Sequence, residues 1–257
     1  MGTDILLFLV GIVVGVMNAI AGGGTLIAFP VLLALGISPL TANATTCIIV
    51  LPGNISSAIG YRKFLKRVPR QYLLLLIPAI IGSAIGAVAL RRTSFTNFEN
   101  YVPGLILFAA ILFAFQPLLY KVIHEHIHGP KYKRNSLKPI MITALAVFPL
   151  SIYGGYFGAG FGFIMLAFLG FTGLHNHIHR MNALKNIITV CIASTSLIVL
   201  YSSHLIDWRQ GLVMGGGNLI GGYYGAVGAQ KISSQVLRYI VVIIGIGTAI
   251  YLGIRSY

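Results

Sequence analysis

Apolar runs of about 18 residues or more, the length that carries a helix across a bilayer, recur along this 257-residue chain. They fall at roughly 4–20, 41–61, 71–90, 101–121, 138–157, 183–203, 210–229 and 236–254. Lipid offers no hydrogen-bond partner to a bare backbone, so each run must be helical. Hydrophobic residues make up 57% of the chain and charged residues only 9%, which leaves no room for a soluble domain. The expected fold is an all-α polytopic membrane protein, a single integral domain with eight full-length transmembrane helices. A cell-membrane location follows from the same pattern. Gly, Ser, Thr and Pro occur freely inside the runs, as they do where helices pack closely in lipid.

Two glycine clusters interrupt this pattern. Gly22-Gly23-Gly24 follows the first run, and Gly158-Ala159-Gly160-Phe161-Gly162 follows the fifth. Shorter apolar runs, 25–36 and 162–173, come after them and predict short helices starting near Thr25 and Phe163. Glycine costs a helix roughly 1 kcal/mol per residue. Broken backbone at membrane depth is tolerated where it is buried in protein or lines a water-filled hollow. Paired breaks in two halves of a chain point to a transporter's substrate site.

The halves are similar to one another. A shift of 139 places Asn43-Ala44 on Asn182-Ala183, Ser57 on Ser196 and Arg70-Gln71 on Arg209-Gln210. It also places Gly82, Gly86, Ala87 and Val88 on Gly221, Gly225, Ala226 and Val227. A shift of 138 places Gly22 and Gly24 on Gly160 and Gly162. The chain therefore divides into an N-terminal repeat (1–120), a polar basic and histidine-bearing linker (121–137) and a C-terminal repeat (138–257). If each short helix crosses the membrane the repeats are inverted; if it re-enters, they are parallel. The basic loops favour the inverted arrangement narrowly, with 62–70, the linker, Arg180, Lys231 and Arg238 inside.

The net charge is +14. Most of it fits the excess of basic residues in cytoplasmic loops and attraction to anionic headgroups; it also suits an anionic solute. The basic residues are spread over short loops, which argues against nucleic acid as a partner. Cys47 and Cys191 lie inside apolar runs and read as packing residues. The N-terminus lacks a basic leader and a small-residue cleavage pattern, so 4–20 is expected to be a retained span.

Ala21-Gly22-Gly23-Gly24-Thr25, Phe29-Pro30-Val31-Leu32-Leu33, Leu35-Gly36-Ile37-Ser38-Pro39 and Ala42-Asn43-Ala44-Thr45-Thr46 occur in that order. The second half adds Gly158-Ala159-Gly160-Phe161-Gly162 and Ile206-Asp207-Trp208-Arg209, and the run Gly82–Ala87 pairs with 221–226. In these features the chain resembles the sulfite exporter family TauE/SafE, which includes YfcA-type permeases. The resemblance covers nearly the whole chain. It implies movement of a small anion, often a sulfur oxyanion or an organosulfonate, with no covalent chemistry. Two departures bear on the substrate: Phe161 interrupts the second glycine run, and Lys185 stands where the first half has Thr46.

Helix N-termini present free N–H groups and a partial positive charge, and bind anions. The candidate anion-binding residues are therefore Gly22, Gly23, Gly24 and Thr25 at the first break and Gly160 and Gly162 at the second. Asn43, Thr45 and Thr46 join them from the start of one following span, and Asn182, Lys185 and Asn186 from the other. The asparagines fit either helix caps or a symmetric site. Lys185 fits either an anion-binding charge inside the membrane or a side chain reaching back to the interface. Asn54 reads as a partner for backbone freed by Pro52, and Asp207-Trp208-Arg209 as an interfacial anchor with a local ion pair.

The four acidic residues, Asp4, Glu99, Glu125 and Asp207, all sit at run ends or loops. No buried carboxylate proton relay is evident, and an enzyme is not expected. Two His-x-His-x-His strings, His124, His126, His128 and His175, His177, His179, are weak candidates for metal binding. An intramembrane metal-binding protein is the alternative class, and a carboxylate or weak-acid carrier the alternative within transport. No cofactor is expected, the partners are a small anion and the bilayer, and a homo-oligomer stays open.

Overall fold

The computed structural model describes residues 2–115, 138–170, 174, 177–228 and 247. Every regular element among them is helical. The first half holds α1 (Gly2–Ile20), α2 (Thr25–Ala34), α3 (Pro39–Gly60), the single turn α4 (Arg62–Leu65), α5 (Leu76–Arg92), entered through a 3-10 segment (Arg70–Leu75), and α6 (Phe95–Ala114). The second holds α7 (Lys138–Tyr156), α8 (Phe161–Gly170), α9 (Ile178–Leu200) and α10 (Trp208–Gly228). The linker 121–137 and, apart from Gly247, the run 236–254 lie outside the described residues.

Among the described residues, four segments are long and apolar enough to cross a membrane: Gly2–Ile20, Pro39–Gly60, Arg70–Arg92 and Ile178–Leu200. Ile5, Leu9, Ile77, Ile81, Leu145 and Ile198 point outward from these and neighbouring helices. In water that much outward apolar surface would drive association; in hydrocarbon it is the ordinary solvated face. The chain is an integral membrane protein. α10 is less apolar because glycine occurs eight times in its 21 residues.

Those glycines let backbones touch. α1 and α10 run parallel: Gly11 meets Met214 and Asn218, Gly15 meets Asn218 and Gly222, and Gly225 meets Val16 and Ala19. α3 also runs parallel to α10, with Gly211 against Thr45, Gly215 against Pro52 and Ser57 Oγ donating to Gly222 O at 3.0 Å. The same relation recurs elsewhere. Gly82 and Gly86 of α5 lie against Phe148 and Ile152 of α7, and Arg91 reaches Val199 O near the ends of α5 and α9. α3 and α9 are antiparallel. The Tyr61 ring, just past α3, is 6.2 Å from His179 at the start of α9, and Thr45 near the start of α3 accepts from Asp207 N beyond the end of α9. Each half therefore gives its first long helix to a partner from the other half.

Close packing in lipid rests on van der Waals contact between small residues. A methyl group on Gly217 would collide with the Phe8 carbonyl and come within 3.0 Å of Ile12 N, whereas on Gly216 it would approach only the Phe8 ring, at 3.6 Å. Gly217→Ala is expected to destabilise the protein by at least ~2 kcal/mol. Gly216→Ala is expected to stay within about 1 kcal/mol of the parent. Melting curves of the two variants in detergent give the comparison; equal melting would rule out the close seam.

The structure revises the alignment of the two breaks. Met17 O accepts from Ala21 N and Gly22 N, and Tyr153 O accepts from Phe157 N and Gly158 N in the same way. Gly22 has φ 84 and Gly158 φ 71. Gly22 thus corresponds to Gly158, not Gly160, and Thr25 to Phe161, so α8 starts at Phe161 and not near Phe163. The cause is loop length: residues 35–38 join α2 to α3, but 171–177 join α8 to α9. Three extra residues turn a 136-residue offset at the breaks into the 139-residue offset further on.

Candidate functional site

The two breaks meet. A methyl group on Gly22 would lie 2.5 to 2.8 Å from the Gly162 and Phe163 backbones, and one on Gly162 would lie 2.6 Å from Gly22 Cα. Beside this contact is a cavity. One wall is a stripe of α3: Asn43, Thr46, Cys47, Val50 and Asn54. The facing wall is a stripe of α9: Lys185, Thr189, Ile192, Ser196 and Leu200. Asn18, Gly22, Thr25, Gly158 and Gly162 close it at the breaks, and it extends to Leu90 and Leu200 at the ends of α5 and α9.

Helix ends at such a place leave carbonyls and amides unpaired, and here side chains from the other half take up the carbonyls. Lys185 Nζ donates to Asn18 O at 2.6 Å, Asn43 Nδ2 to Tyr156 O at 2.7 Å and Thr25 Oγ1 to Gly158 O at 3.5 Å. At the first break the amides are also largely engaged. Gly24 N donates to Asn18 Oδ1 at 2.9 Å, Leu26 N to Gly23 O and Ile27 N to Gly24 O. The α2 N-terminus is therefore less bare than the glycine triplet suggests, and the positive end of the site is Lys185.

Lys185 is 1% exposed, eight residues into α9. Its ammonium has three N–H donors. One goes to Asn18 O and one to Asn182 Oδ1 at 3.1 Å, leaving the third for the cavity. Among the described residues, none that lines the cavity is acidic. An ammonium held away from water needs compensation. The α1 carbonyl end supplies only a partial negative charge.

Of the residues the sequence singles out, Gly22, Thr25, Asn43, Thr46, Gly162 and Lys185 line the cavity. Gly23, Gly24, Thr45, Gly160, Asn182 and Asn186 do not. Thr45 donates to Thr41 O and accepts from Asp207 N, and Asn182 steadies Lys185. Asn186 is fully buried with both amide atoms unpartnered. Neither Asn43 nor Asn182 caps a helix: Ser38 caps α3 by accepting from Thr41 N. Asn54 Nδ2 donates to Val50 O at 2.8 Å, not to Ile48 O, the carbonyl that Pro52 frees. Asp207 Oδ1 accepts from Gln210 N at the start of α10, while Arg209 pairs with Asp4 at 3.2 Å, so the expected local pair is replaced by a cap and a longer-range bridge.

Asn18, Thr189 and Ser196 were missed. Thr189 and Ser196 follow Lys185 at helical spacing, a polar stripe that the sequence carries. Asn18 gave no signal, because its counterpart at the 136-residue offset is Gly154. Of the histidines, His124, His126, His128 and His175 lie outside the described residues. His179 packs its ring 4.8 Å from Phe64 beside Tyr61, and His177 is exposed. Tyr61 Oη also donates to Ala19 O at 3.4 Å, near the end of α1.

Comparison with known proteins agrees with this architecture. A probable membrane transporter protein of Haemophilus influenzae is 31% identical over 250 residues, covering 94% of this chain and 92% of its own. The probable membrane transporter protein YfcA of Escherichia coli K12 is 26% identical, covering 93% and 85%. Probable membrane transporter protein ORF9 of a Sinorhizobium species is 25% identical, covering 96% and 90%. No solved structure matches the chain significantly. The family model for the sulfite exporter TauE/SafE matches residues 7–252, and the chain belongs to that family.

Proposed function

We propose that this protein is a secondary transporter or facilitator that moves a small anion across the cell membrane, binding it between the two halves. The observation that carries the reading is Lys185: a buried ammonium facing a cavity without a lining carboxylate. An ionisable residue at such depth marks a substrate or ion pathway by default. An incoming anion supplies the missing counter-charge. The family name and the relatives' names as transporters support the same conclusion.

The repeats are inverted in this reading. The opposed directions of α3 and α9, which are equivalent by sequence, support it, as does the parallel pairing of α1 with α10 and of α7 with α5. The polypeptide is multi-pass, with the basic segment 62–70 inside and the α1 N-terminus outside. The cavity reaches Leu90 and Leu200 on the outer side, while Tyr61, Phe64 and His179 pack together towards the inner side. Alternating access opens the inner side as it closes the outer.

Purified protein in liposomes, loaded with one anion and challenged with another, tests the function. Counterflow of labelled sulfite is expected, saturable and competed by unlabelled sulfite. Flux of lactate with none of sulfite would favour a carboxylate carrier, and flux of neither would defeat the anion reading.

A further inference from the structure

Lys185 Nζ makes two hydrogen bonds within the protein, to Asn18 O at 2.6 Å and to Asn182 Oδ1 at 3.1 Å. A neutral amine has two N–H groups, and an ammonium has three. The protein around the nitrogen is thus complete for the neutral form, and the charged form needs one more partner from the cavity. Charge on the neighbouring elements does not supply it. Of the described acidic residues, Asp4 pairs with Arg209, Asp207 caps α10 and Glu99 is exposed. The titratable groups that α3 and α7 bring near are Cys47, Tyr61, Tyr153 and Tyr156, thiols and phenols with no carboxylate among them. The start of α9 and the turn α4 add only basic groups, His179 and Arg180 with the exposed Arg62 and Lys63, and α5 adds Arg91 and Arg92 at its outer end. Among the described residues α8 has no titratable side chain, and α1 has only Asp4.

We infer that Lys185 is the proton-carrying group of the transport cycle, taking up one proton with each anion and releasing it before the unloaded carrier returns. The inference rests on the anion-carrier reading and deepens it by naming the coupling ion. While the cavity is open to one side, water can meet the third N–H. Alternating access must pass through a closed state in which that water is gone. With an anion bound, the ammonium crosses as half of an ion pair. Without one, it would cross as a bare buried charge, which is costly. The unloaded return therefore belongs to the neutral amine, whose two N–H groups already have their acceptors. In one cycle the amine nitrogen binds a proton from water on the first side, the ammonium pairs with the anion, and both leave on the second side, the proton to water. For a singly charged anion neither crossing moves net charge. A carrier with no carboxylate lining its cavity among the described residues is thus still driven by a proton gradient.

Exchange uses only the loaded crossing, whereas net uptake also needs the unloaded return. Labelled sulfite is offered to liposomes that hold the full chain and contain either unlabelled sulfite or none, with protein-free liposomes subtracted and the voltage clamped at zero. Arginine keeps a positive charge but does not give up its proton. Lys185→Arg is expected to weaken exchange and to lower net uptake by roughly a further tenfold or more, since its unloaded return carries a bare charge. In the parent protein, raising the internal pH from acid to alkaline is expected to speed the initial rate of net uptake several-fold relative to exchange. A Lys185→Arg protein with the parent's ratio of net uptake to exchange, or a parent ratio indifferent to internal pH, would overturn the coupling and leave anion transport standing. If Lys185→Arg carries no anion at all, the parent's response to internal pH decides. Absence of exchange in the parent defeats the anion reading, and this inference with it.

Discussion

Replacing Lys185 with Met is expected to abolish saturable anion flux while the protein still folds. Among the described residues that line the cavity, the ammonium is the one full positive charge. Two unit charges about 4 Å apart, at the effective dielectric of a protein, interact by about 4 kcal/mol. Losing that attraction is worth roughly three powers of ten in affinity. Methionine fills much the same space, so packing among α1, α9 and the breaks is largely kept. What it leaves behind is Asn18 O and Asn182 Oδ1 without their donor, a cost of about 1–3 kcal/mol apiece. A structural role alone would lower the melting temperature and leave the affinity of surviving protein unchanged. The decisive measurement is half-saturation of counterflow in folded, monodisperse Lys185→Met protein; an unchanged value would remove Lys185 from the site.

Gly22→Ala is expected to prevent assembly of the two halves, and Gly36→Ala to be tolerated. Both glycines have nearly the same backbone, φ 84 and φ 83. An L side chain in that region costs roughly 1–2 kcal/mol. Their surroundings differ. A methyl group at Gly36 meets nothing within 4 Å, whereas at Gly22 it would lie 2.5 to 2.8 Å from the Gly162 and Phe163 backbones. Backbone cannot swing aside like a side-chain tip, so Gly22→Ala adds an overpacking cost of at least ~1–3 kcal/mol and displaces the cavity wall. Gel-filtration profiles and melting curves of the two variants separate backbone strain from crowding. Equal losses would mean that the breaks do not touch.

The long helices were legible because hydrocarbon imposes length and composition on any helix that crosses it. The predicted runs 41–61 and 210–229 became Pro39–Gly60 and Trp208–Gly228, within two residues at either end. The glycine breaks were legible too, since few other residues adopt the φ values of Gly22 and Gly158. Equivalence between the breaks was misjudged because sequence comparison rewarded Gly22-x-Gly24 on Gly160-x-Gly162, while the helix ends are set by hydrogen bonds to Met17 and Tyr153. The site was half visible. Lys185 stands out by its charge among apolar neighbours, and Asn43 by its recurrence. Asn18 has no counterpart in the other half, and its importance comes from the fold bringing the end of α1 against α9. The direction in which Asn43 points is likewise a tertiary fact, fixed by a carbonyl 113 positions away.

The exchange of partners between the halves has a consequence for biogenesis. During synthesis α1 leaves the ribosome long before α10, the helix whose surface it packs against. Until α10 is inserted, the small-residue flank of α1 faces lipid or the insertion machinery, and Lys185 does not yet exist to cap its carbonyl end. The first half is therefore an unfinished guest of the translocon until α10 emerges, and tertiary closure joins segments made far apart in time.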